Sequence, residues 1–454
     1  MKKRILSQIA ISITCFILTA CSSMSLPNVF PSSSSSSTAN YEGQSNVWAG
    51  SPAQVWEKIQ RTSSANLASM QASTQDPTKL GWIQLARIVK QKNLGSSQFA
   101  AQLINWREQH PGHPANSLLP SNSSLMQLQS SPPPRQIAVL LPQNGTYGSS
   151  GQAVKQGILN AYYANQMKIG KQNIKFYDTT QASMPNLYQQ ALAEGADIVI
   201  GPLVKDNVAQ LSRSGSFSRP TLALNYTDGS LPSNFYEFGL LPEDEVSQVA
   251  ARARQSGLSH ALLIAPQTAW GQRMASTFSA QWQALGGSIQ DTWLYPSSPT
   301  RFNEEIARLL HVNPHADKKL MEQDNNKSVL AQQRRQDFDV IILFAQAQNA
   351  RVIVPLLRYY YVTNVPIYTT SSVYTGKSNP VSDVDLNGVT VCDIPHAGNT
   401  NRLYAVGQDA YLLSQSLDRL MTLANFPIYG ATGALVLSPQ HKIHRRLPCV
   451  TIHV

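Results

Sequence analysis

The sequence has no long hydrophobic run after residue 21. The one extended apolar stretch, Ile5 to Leu18, lies near the amino terminus and is too short to span a bilayer. Hydrophobic residues make up 42% of the 454 residues, enough to build ordinary cores. We therefore expect the rest of the chain to fold outside the membrane, in about two or three domains.

Cysteine is scarce, with four residues in the whole chain. They are Cys15, Cys21, Cys392 and Cys449. None belongs to a Cys-x-x-Cys pair, and the nine histidines form no ligand pattern, so we expect no metal site. His110 and His113 flank Pro111-Gly112, and turn residues are the better interpretation of this pair.

The common catalytic motifs are also missing. We find no G-x-S-x-G, S-x-x-K or H-E-x-x-H, and Gly148 to Gly151 lacks the spacing of a nucleotide-binding loop. Glu243, Asp244 and Glu245 follow Pro242, where acidic side chains complement the positive end of a helix. The sequence thus predicts neither an enzyme nor a cofactor site.

The chain carries a formal net charge of +10, from 36 Lys and Arg against 26 Asp and Glu. The basic residues are scattered, apart from Lys2-Lys3-Arg4 and a basic tail at Lys442, Arg445 and Arg446. No zinc-finger, basic-zipper or RNA-recognition pattern accompanies them, so we expect no nucleic-acid partner. Weak attraction to anionic lipids or polymers is sufficient to account for this charge.

The amino terminus resembles that of a bacterial lipoprotein. A positive head, an apolar stretch and small residues lead to Leu18-Thr-Ala-Cys21, which predicts a signal peptide over residues 1–20 and lipidation of Cys21. An ordinary secretory signal cut elsewhere is the alternative. By resemblance, Ser22 after the lipidated cysteine implies sorting to the outer membrane. More than one acyl chain at Cys21 would anchor the protein stably.

Residues 21–46 are rich in Ser and predict a flexible tether with a reach of roughly 27 Å. Residues 47–114 predict a small all-α domain of helix hairpins, similar to tetratricopeptide units but shortened. Its expected helices span Pro52 to Met70, Pro77 to Lys92 and Ser97 to His110. Residues 115–135 end in three prolines and predict a stiff linker that separates this domain from the next.

Residues 136–454 alternate between short β-branched runs and helical stretches, which is typical of parallel sheets covered by helices. Two such series predict an α/β fold with two lobes and a crevice at the carboxyl ends of the strands. A polar stretch, Asn313 to Gln336, predicts an exposed insertion, and one long helix is expected from Leu403 to Leu423. The residues expected to line the crevice are Gln143, Tyr147, Asn225 and Trp270.

Cys392 and Cys449 are the two cysteines left after residue 21. An oxidising compartment would allow them to pair, and the closed loop would then stabilise the fold by about 4 kcal/mol. Two buried free thiols are the alternative, because spacing in a sequence does not show whether two Cα atoms come within bridging distance.

Several segments of the two-lobed part resemble the LpoA family of penicillin-binding protein activators, which has a type I periplasmic-binding-protein fold. They are Ile137 to Pro142 with Gly151-Gln-Ala-Val154, Asp197-Ile-Val-Ile-Gly-Pro-Leu-Val-Lys205, Phe238-Gly-Leu-Leu-Pro-Glu-Asp-Glu245, Arg402-Leu-Tyr404 with Gly407-Gln-Asp-Ala410, and Gly430-Ala-Thr-Gly-Ala-Leu435. The helices match only the last helix-hairpin units of that family, through Gly81-Trp-Ile-Gln-Leu85 and His110-Pro-Gly-His-Pro-Ala115.

The resemblance implies a non-catalytic outer-membrane lipoprotein in the periplasm. Such a protein would bind a class A bifunctional peptidoglycan synthase and stimulate its transpeptidase. The alternative is a periplasmic receptor for an amino-acid-like small molecule, because the same fold also serves that purpose. Relatives of that kind usually offer Ser or Thr after the third strand, where this chain has Gly201-Pro-Leu-Val204.

Overall fold

The computed structural model describes residues 47–92, 94–312, 334–374, 380–395 and 401–453. The chain from Val47 onward forms one compact unit. The predicted signal peptide, Cys21 and the tether lie outside the described residues, as does most of the predicted insertion, residues 313–333.

Within the described residues, which begin at Val47, five α-helices precede the first strand. Side chains of Ser51, Ser63, Asp76 and Ser121 accept hydrogen bonds from first-turn amides and so fix where four of these helices begin. The helices are α1 (Pro52–Arg61), α2 (Ser64–Ser73), α3 (Pro77–Val89), α4 (Ser96–Gln109) and α5 (Asn122–Ser130).

The single helix predicted from Pro52 to Met70 is wrong, because the segment contains two helices. Thr62 leaves the helical conformation at φ −67° and ψ 132°, and the Ser63 hydroxyl caps α2 by accepting from the amide of Asn66 at 3.1 Å. The apolar spacing continues across this break, so spacing alone does not reveal it.

Residues 115–135 are not a bare linker, contrary to the prediction. A 3₁₀ turn at Pro114–Leu118 and helix α5 occupy most of the segment. Leu125 of α5 is fully buried in a core shared with α1, α3 and α4. Leu423 and Phe426, from far along the chain, belong to the same core, so the helices pack directly against the two-lobed part.

Lobe 1 contains a five-stranded parallel sheet in the order β2-β1-β3-β4-β5. Alternate residues of β1 point to opposite faces: Val139 packs with α6 and α14, and Leu140 packs with α7 and α8. The last strand, β5, is not predicted from the sequence. The elements are β1 (Gln136–Leu141), α6 (Gly148–Ile169), β2 (Asn173–Asp178), α7 (Met184–Ala193), β3 (Ile198–Ile200), α8 (Lys205–Ser212), β4 (Thr221–Ala223), β5 (Phe235–Glu237) and α14 (Arg402–Ser414).

Lobe 2 contains a six-stranded sheet in the order β14-β10-β9-β8-β6-β7, in which only β14 is antiparallel to its neighbour. Helices α9 and α10 cover one face, and α11 and α12 cover the other. The elements are α9 (Pro242–Gln255), β6 (His260–Pro266), α10 (Ala269–Ala284), β7 (Ser288–Tyr295), α11 (Phe302–Leu309), β8 (Val340–Leu343), α12 (Ala347–Tyr359), β9 (Ile367–Thr370), α13 (Pro380–Asp383), β10 (Val389–Cys392) and β14 (Cys449–Thr451).

The long helix predicted from Leu403 to Leu423 is also wrong. It is divided into α14 and α15 (Leu417–Thr422) at Ser416, where φ is −143° and the hydroxyl donates to the carbonyl of Leu94. An antiparallel sheet that the sequence does not predict follows. Its strands are β11 (Ile428–Tyr429), β12 (Ala434–Leu437) and β13 (Ile443–Arg446).

Candidate functional site: the crevice between the lobes

A cavity of about 320 Å³ lies where β1, β3 and β4 of lobe 1 end. Loops at the carboxyl ends of parallel strands are the usual ligand sites of such folds. The lining residues are Tyr147, Ser150, Leu203, Val204, Lys205, Asp206, Asn225 and Leu403. This cavity is therefore the candidate small-molecule site of the crevice.

Two of the four residues predicted to line the crevice lie on this cavity. Tyr147 and Asn225 line it, whereas Gln143 and Trp270 are not among its lining residues. The amide of Gln143 donates to the carboxylate of Asp178 at 3.1 Å, and Trp270 packs against the core of lobe 2. Leu403, the second residue of α14, lines the cavity without having been predicted from the sequence.

Two polar side chains on this cavity, Asn225 and Lys205, have partners within the protein. The Asn225 side chain donates to the carbonyl of Leu203 at 3.1 Å and accepts from the amide of Tyr226 at 2.9 Å. Lys205 Nζ lies 3.9 Å from the Asp228 carboxylate. Leu203 and Val204 supply aliphatic surface beside them. A ligand carboxylate placed against the Leu203 and Val204 side chains would lose water without gaining hydrogen bonds from them.

A larger cavity of about 700 Å³ lies where the helical region meets lobe 1. It is bounded by the start of α4, the three prolines Pro132 to Pro134, and α15. Its charged lining residues are balanced, with Arg135 and Arg219 against Asp197 and Asp418. The carboxylate of Asp197 accepts the amides of Arg135 and Gln136, so part of this lining serves to attach the proline segment to lobe 1.

The acidic cluster at the start of α9 does more than complement a helix dipole. Glu243 is paired with Arg273 at 2.9 Å, but Asp244 and Glu245 are buried. The Asp244 carboxylate accepts from the backbone amide of Arg445 at 2.9 Å and lies 2.8 Å from Nδ1 of His444. The dipole interpretation is thus incomplete, because a first-turn position does not reveal burial against β13.

The basic tail predicted at Lys442, Arg445 and Arg446 is not a free basic segment. Arg445 lies in β13 with its side chain fully buried, and Lys442 Nζ donates to the carbonyl of Thr227 at 2.6 Å. Burial raises the pKa of Glu245, and the positive charge of Arg445 opposes that rise. The charges of Arg445, Asp244 and Glu245 therefore lie in the interior between the lobes.

Asp409 ties the carboxyl-terminal segment to α14. Its buried carboxylate accepts from the amides of Ala431 and Thr432, at 2.5 and 2.7 Å, and from the Thr432 hydroxyl at 2.6 Å. Burial raises the pKa of Asp409 to about 6, against the opposing effect of these donors. This carboxylate thus holds the turn between β11 and β12 against α14.

His110 and His113 pack in the helical core. Nε2 of His113 bonds the Thr78 carbonyl at 2.8 Å and Nδ1 accepts from the Ala115 amide, while Nε2 of His110 bonds Gln84. Burial lowers the pKa of His110 and His113. Throughout the part of the chain that the structure describes, no three His, Cys, Asp or Glu side chains are arranged to hold a metal ion.

The structure joins Cys392 and Cys449 by a disulfide. Cys392 ends β10 and Cys449 begins β14, and the two residues are directly paired across these strands. The bridge therefore fastens the last strand of the chain to the sheet of lobe 2.

Comparisons with known proteins agree with the fold. Solved structures similar to this chain include full-length LpoA from Haemophilus influenzae, with a TM-score of 0.57 and 22% identity over 88% of this chain and 72% of that one. A putative branched-chain amino acid ABC transporter from Chromobacterium violaceum has a TM-score of 0.52 and 25% identity over 70% of this chain and 99% of that one. The two-lobed part thus has a periplasmic-binding-protein-like fold. None of the described helices combines the length and apolar character needed to cross a membrane.

The sequence comparisons extend into the helical region. The penicillin-binding protein activator LpoA of Photobacterium profundum is 27% identical over 420 residues, which are 87% of this chain and 68% of that protein. The activator LpoA of Aliivibrio fischeri is 25% identical over 427 residues, which are 87% of this chain and 69% of that protein. The family described as LppC putative lipoprotein matches residues 39–451. Because this match spans most of the chain, the protein belongs to the LppC family, which includes relatives named LpoA.

Proposed function

We propose that this protein is a non-catalytic activator of a class A penicillin-binding protein and stimulates its transpeptidase in cell-wall synthesis. The observation that carries the proposal is the family match over residues 39–451, together with relatives named as activators of penicillin-binding proteins. Activation of this kind needs no chemistry from the activator. It needs only tighter binding to the active state of the synthase than to the idle state.

The proposed place of action is the periplasmic side of the outer membrane. Leu18-Thr-Ala-Cys21 followed by Ser22 supports lipidation at Cys21 and sorting to that membrane. The Ser-rich residues 22–46 would then let the folded unit from Val47 reach toward the synthase. Such a tether raises the effective concentration of the two partners once contact is geometrically allowed.

A small-molecule receptor is less well supported. Its strongest support is the similarity of the two-lobed fold to a putative branched-chain amino acid transporter. Against it, the cavity presents Leu203 and Val204 where a ligand carboxylate needs donors, and the Asn225 amide is already bonded on both sides. A fold alone does not determine function.

Binding distinguishes these two functions. The protein beginning at Ser22, which lacks the lipid site, would be passed over the immobilised cognate class A synthase, with a monofunctional transpeptidase of the same cell as the control surface. We expect saturable binding to the class A synthase alone. Equal binding to both surfaces, or to neither, would contradict the proposal. A rise in melting temperature with leucine, isoleucine or valine would favour the receptor.

A further inference from the structure

Three segments connect the two lobes, and each carries contacts that bridge them. The first runs from β5 to α9, the second from β10 to α14, and the third from β13 to β14. We call them the three crossovers. In a clamshell protein such segments act as the hinge, where a few residues absorb the change in backbone angles.

Arg445 joins the lobe 1 side to the first crossover and to lobe 2. It lies in β13, whose Ile443 belongs to the core of lobe 1. Its Nη2 donates to the carbonyl of Leu241 at 3.3 Å, and its guanidinium lies 3.8 Å from Asp244 and 3.9 Å from Glu245. The Arg445 side chain is fully buried, so these charges face each other out of water.

Arg402 makes a second charged contact between the lobes. It begins α14 in lobe 1, and its Nε donates to the carboxylate of Asp393, at the end of β10 in lobe 2, at 3.0 Å. Its Nη2 also bonds Asp393 and donates to the carbonyl of Ser371. Glu245 accepts from the amide and the hydroxyl of the same Ser371, at 2.9 and 3.0 Å. Arg445 and Arg402 therefore contact one connected group of lobe 2 residues, formed by Glu245, Ser371 and Asp393.

An apolar cluster and a disulfide also connect the crossovers. Ile394 of the second crossover, Leu447 of the third and Ala405 of α14 form a small buried cluster. The Cys392–Cys449 disulfide joins the start of the second crossover, at the end of β10, to the end of the third, at the start of β14. All three crossovers are thus held to one another.

We propose that these contacts form a clamp that fixes the lobes in one relative orientation, so that the protein acts as a rigid two-lobed body. Because these contacts lie on three separate crossovers, a rotation of one lobe against the other has to displace those that lie off its axis. Opening would stretch the 3.0 Å hydrogen bond from Arg402 to Asp393 and the 2.9 Å bond from the Arg445 amide to Asp244, and would leave buried charges without partners. This inference does not depend on the proposed activation of a synthase.

Distances between spin labels test the clamp. Gln189→Cys on α7 of lobe 1 and Gln283→Cys on α10 of lobe 2 place labels at exposed positions, in the oxidised protein beginning at Ser22. Double electron–electron resonance of this parent should give one narrow distance distribution. R402Q, in the same labelled protein, should broaden the distribution by about twofold or more because the lobes gain freedom to rotate.

R351Q is the matched control. The Arg351–Asp383 pair resembles the Arg402–Asp393 pair in burial, with side-chain exposures of 20% and 5% against 25% and 5%, but lies within lobe 2. It should leave the distribution unchanged. Two separated distances in the parent, or an R402Q distribution as narrow as that of R351Q, would overturn the clamp. If R402Q fails to fold, D393N serves as the second variant, and the parent measurement remains decisive by itself.

Discussion

The indole Nε1 of Trp56 donates a hydrogen bond to the carbonyl oxygen of Asn425 at 3.0 Å, across 369 residues of sequence. The Gln60 side chain donates to the same carbonyl at 2.9 Å, and the Trp56 ring packs on Phe426 with a centroid distance of 5.1 Å. These contacts bury the segment after α15 under the helical region. We infer that the helices and lobe 1 stabilise each other.

Removing residues 47–130 should therefore destabilise the two-lobed part. The deletion exposes Leu423 and Phe426, which are buried in the helical core, and removes the partners of Asn425. We expect a lower melting temperature by calorimetry, whereas deleting residues 22–46 should leave it unchanged. Equal melting temperatures for the intact protein and for the protein without residues 47–130 would contradict this account.

Replacing glycine by alanine where α6 and α14 pack closely together should destabilise the protein. A Cβ on Gly407 would lie 2.1 Å from the carbonyl of Val154, and one on Gly157 would lie 2.0 Å from that of Tyr404. Ala in a helix normally gains about 0.5 to 1 kcal/mol over Gly, but we expect G407A to lose about 1 to 3 kcal/mol in urea unfolding. G157A should behave alike, and a gain in either variant would contradict the packing.

Asp409 should give the unfolding free energy a distinctive dependence on pH. Burial raises the pKa of Asp409 from 3.8 to about 6, so the folded state retains a proton that the unfolded state has lost. Its contribution is fully present below about pH 4 and is lost as the pH rises through about 6, a fall of about 3 kcal/mol. D409N cannot titrate.

Urea unfolding of both proteins between about pH 4 and about pH 7 isolates this effect. The difference between the wild type and D409N should change in that window, with the wild type losing stability relative to D409N as the pH rises. Parallel stability curves would show that Asp409 has an ordinary pKa in the folded protein.

Cys21 should be the single lipidated cysteine. In the native host, labelling with a palmitate analogue should mark the wild-type protein and the control C15A, which changes only the signal peptide. C21A should lose the label and leave the outer-membrane fraction, because no acyl chain remains to anchor it. Label retained on C21A would place the lipid elsewhere.

Sequence reasoning succeeds here where one physical signal dominates. Ile137 to Leu141 is a continuous buried strand, and both faces of its sheet are covered by helices, so its apolar run is enough to predict it. It fails where distant residues decide the outcome. Arg445 is predicted as part of a basic tail, yet it is buried in β13 because Asp244 and Glu245, about 200 residues away, lie opposite it.

The residues predicted to line the crevice show the same limit of prediction from sequence. Loop position at the ends of β1 and β4 predicts Tyr147, Asn225 and Gln143 alike, whereas only the first two line the cavity and Gln143 bonds Asp178 through its backbone. The hydrogen bonds of the Asn225 side chain to Leu203 and Tyr226 likewise cannot be predicted before the fold is known.

The central claim is activation, and the most direct measurement is peptide cross-linking by the cognate class A synthase acting on its lipid-linked substrate. The reaction would be run alone, with the protein beginning at Ser22, and with a transpeptidase-inactive synthase variant as the background. Activation predicts that the added protein raises the cross-linked fraction in a saturable manner with the active synthase only. An unchanged fraction, when binding to the synthase has been demonstrated, would contradict it.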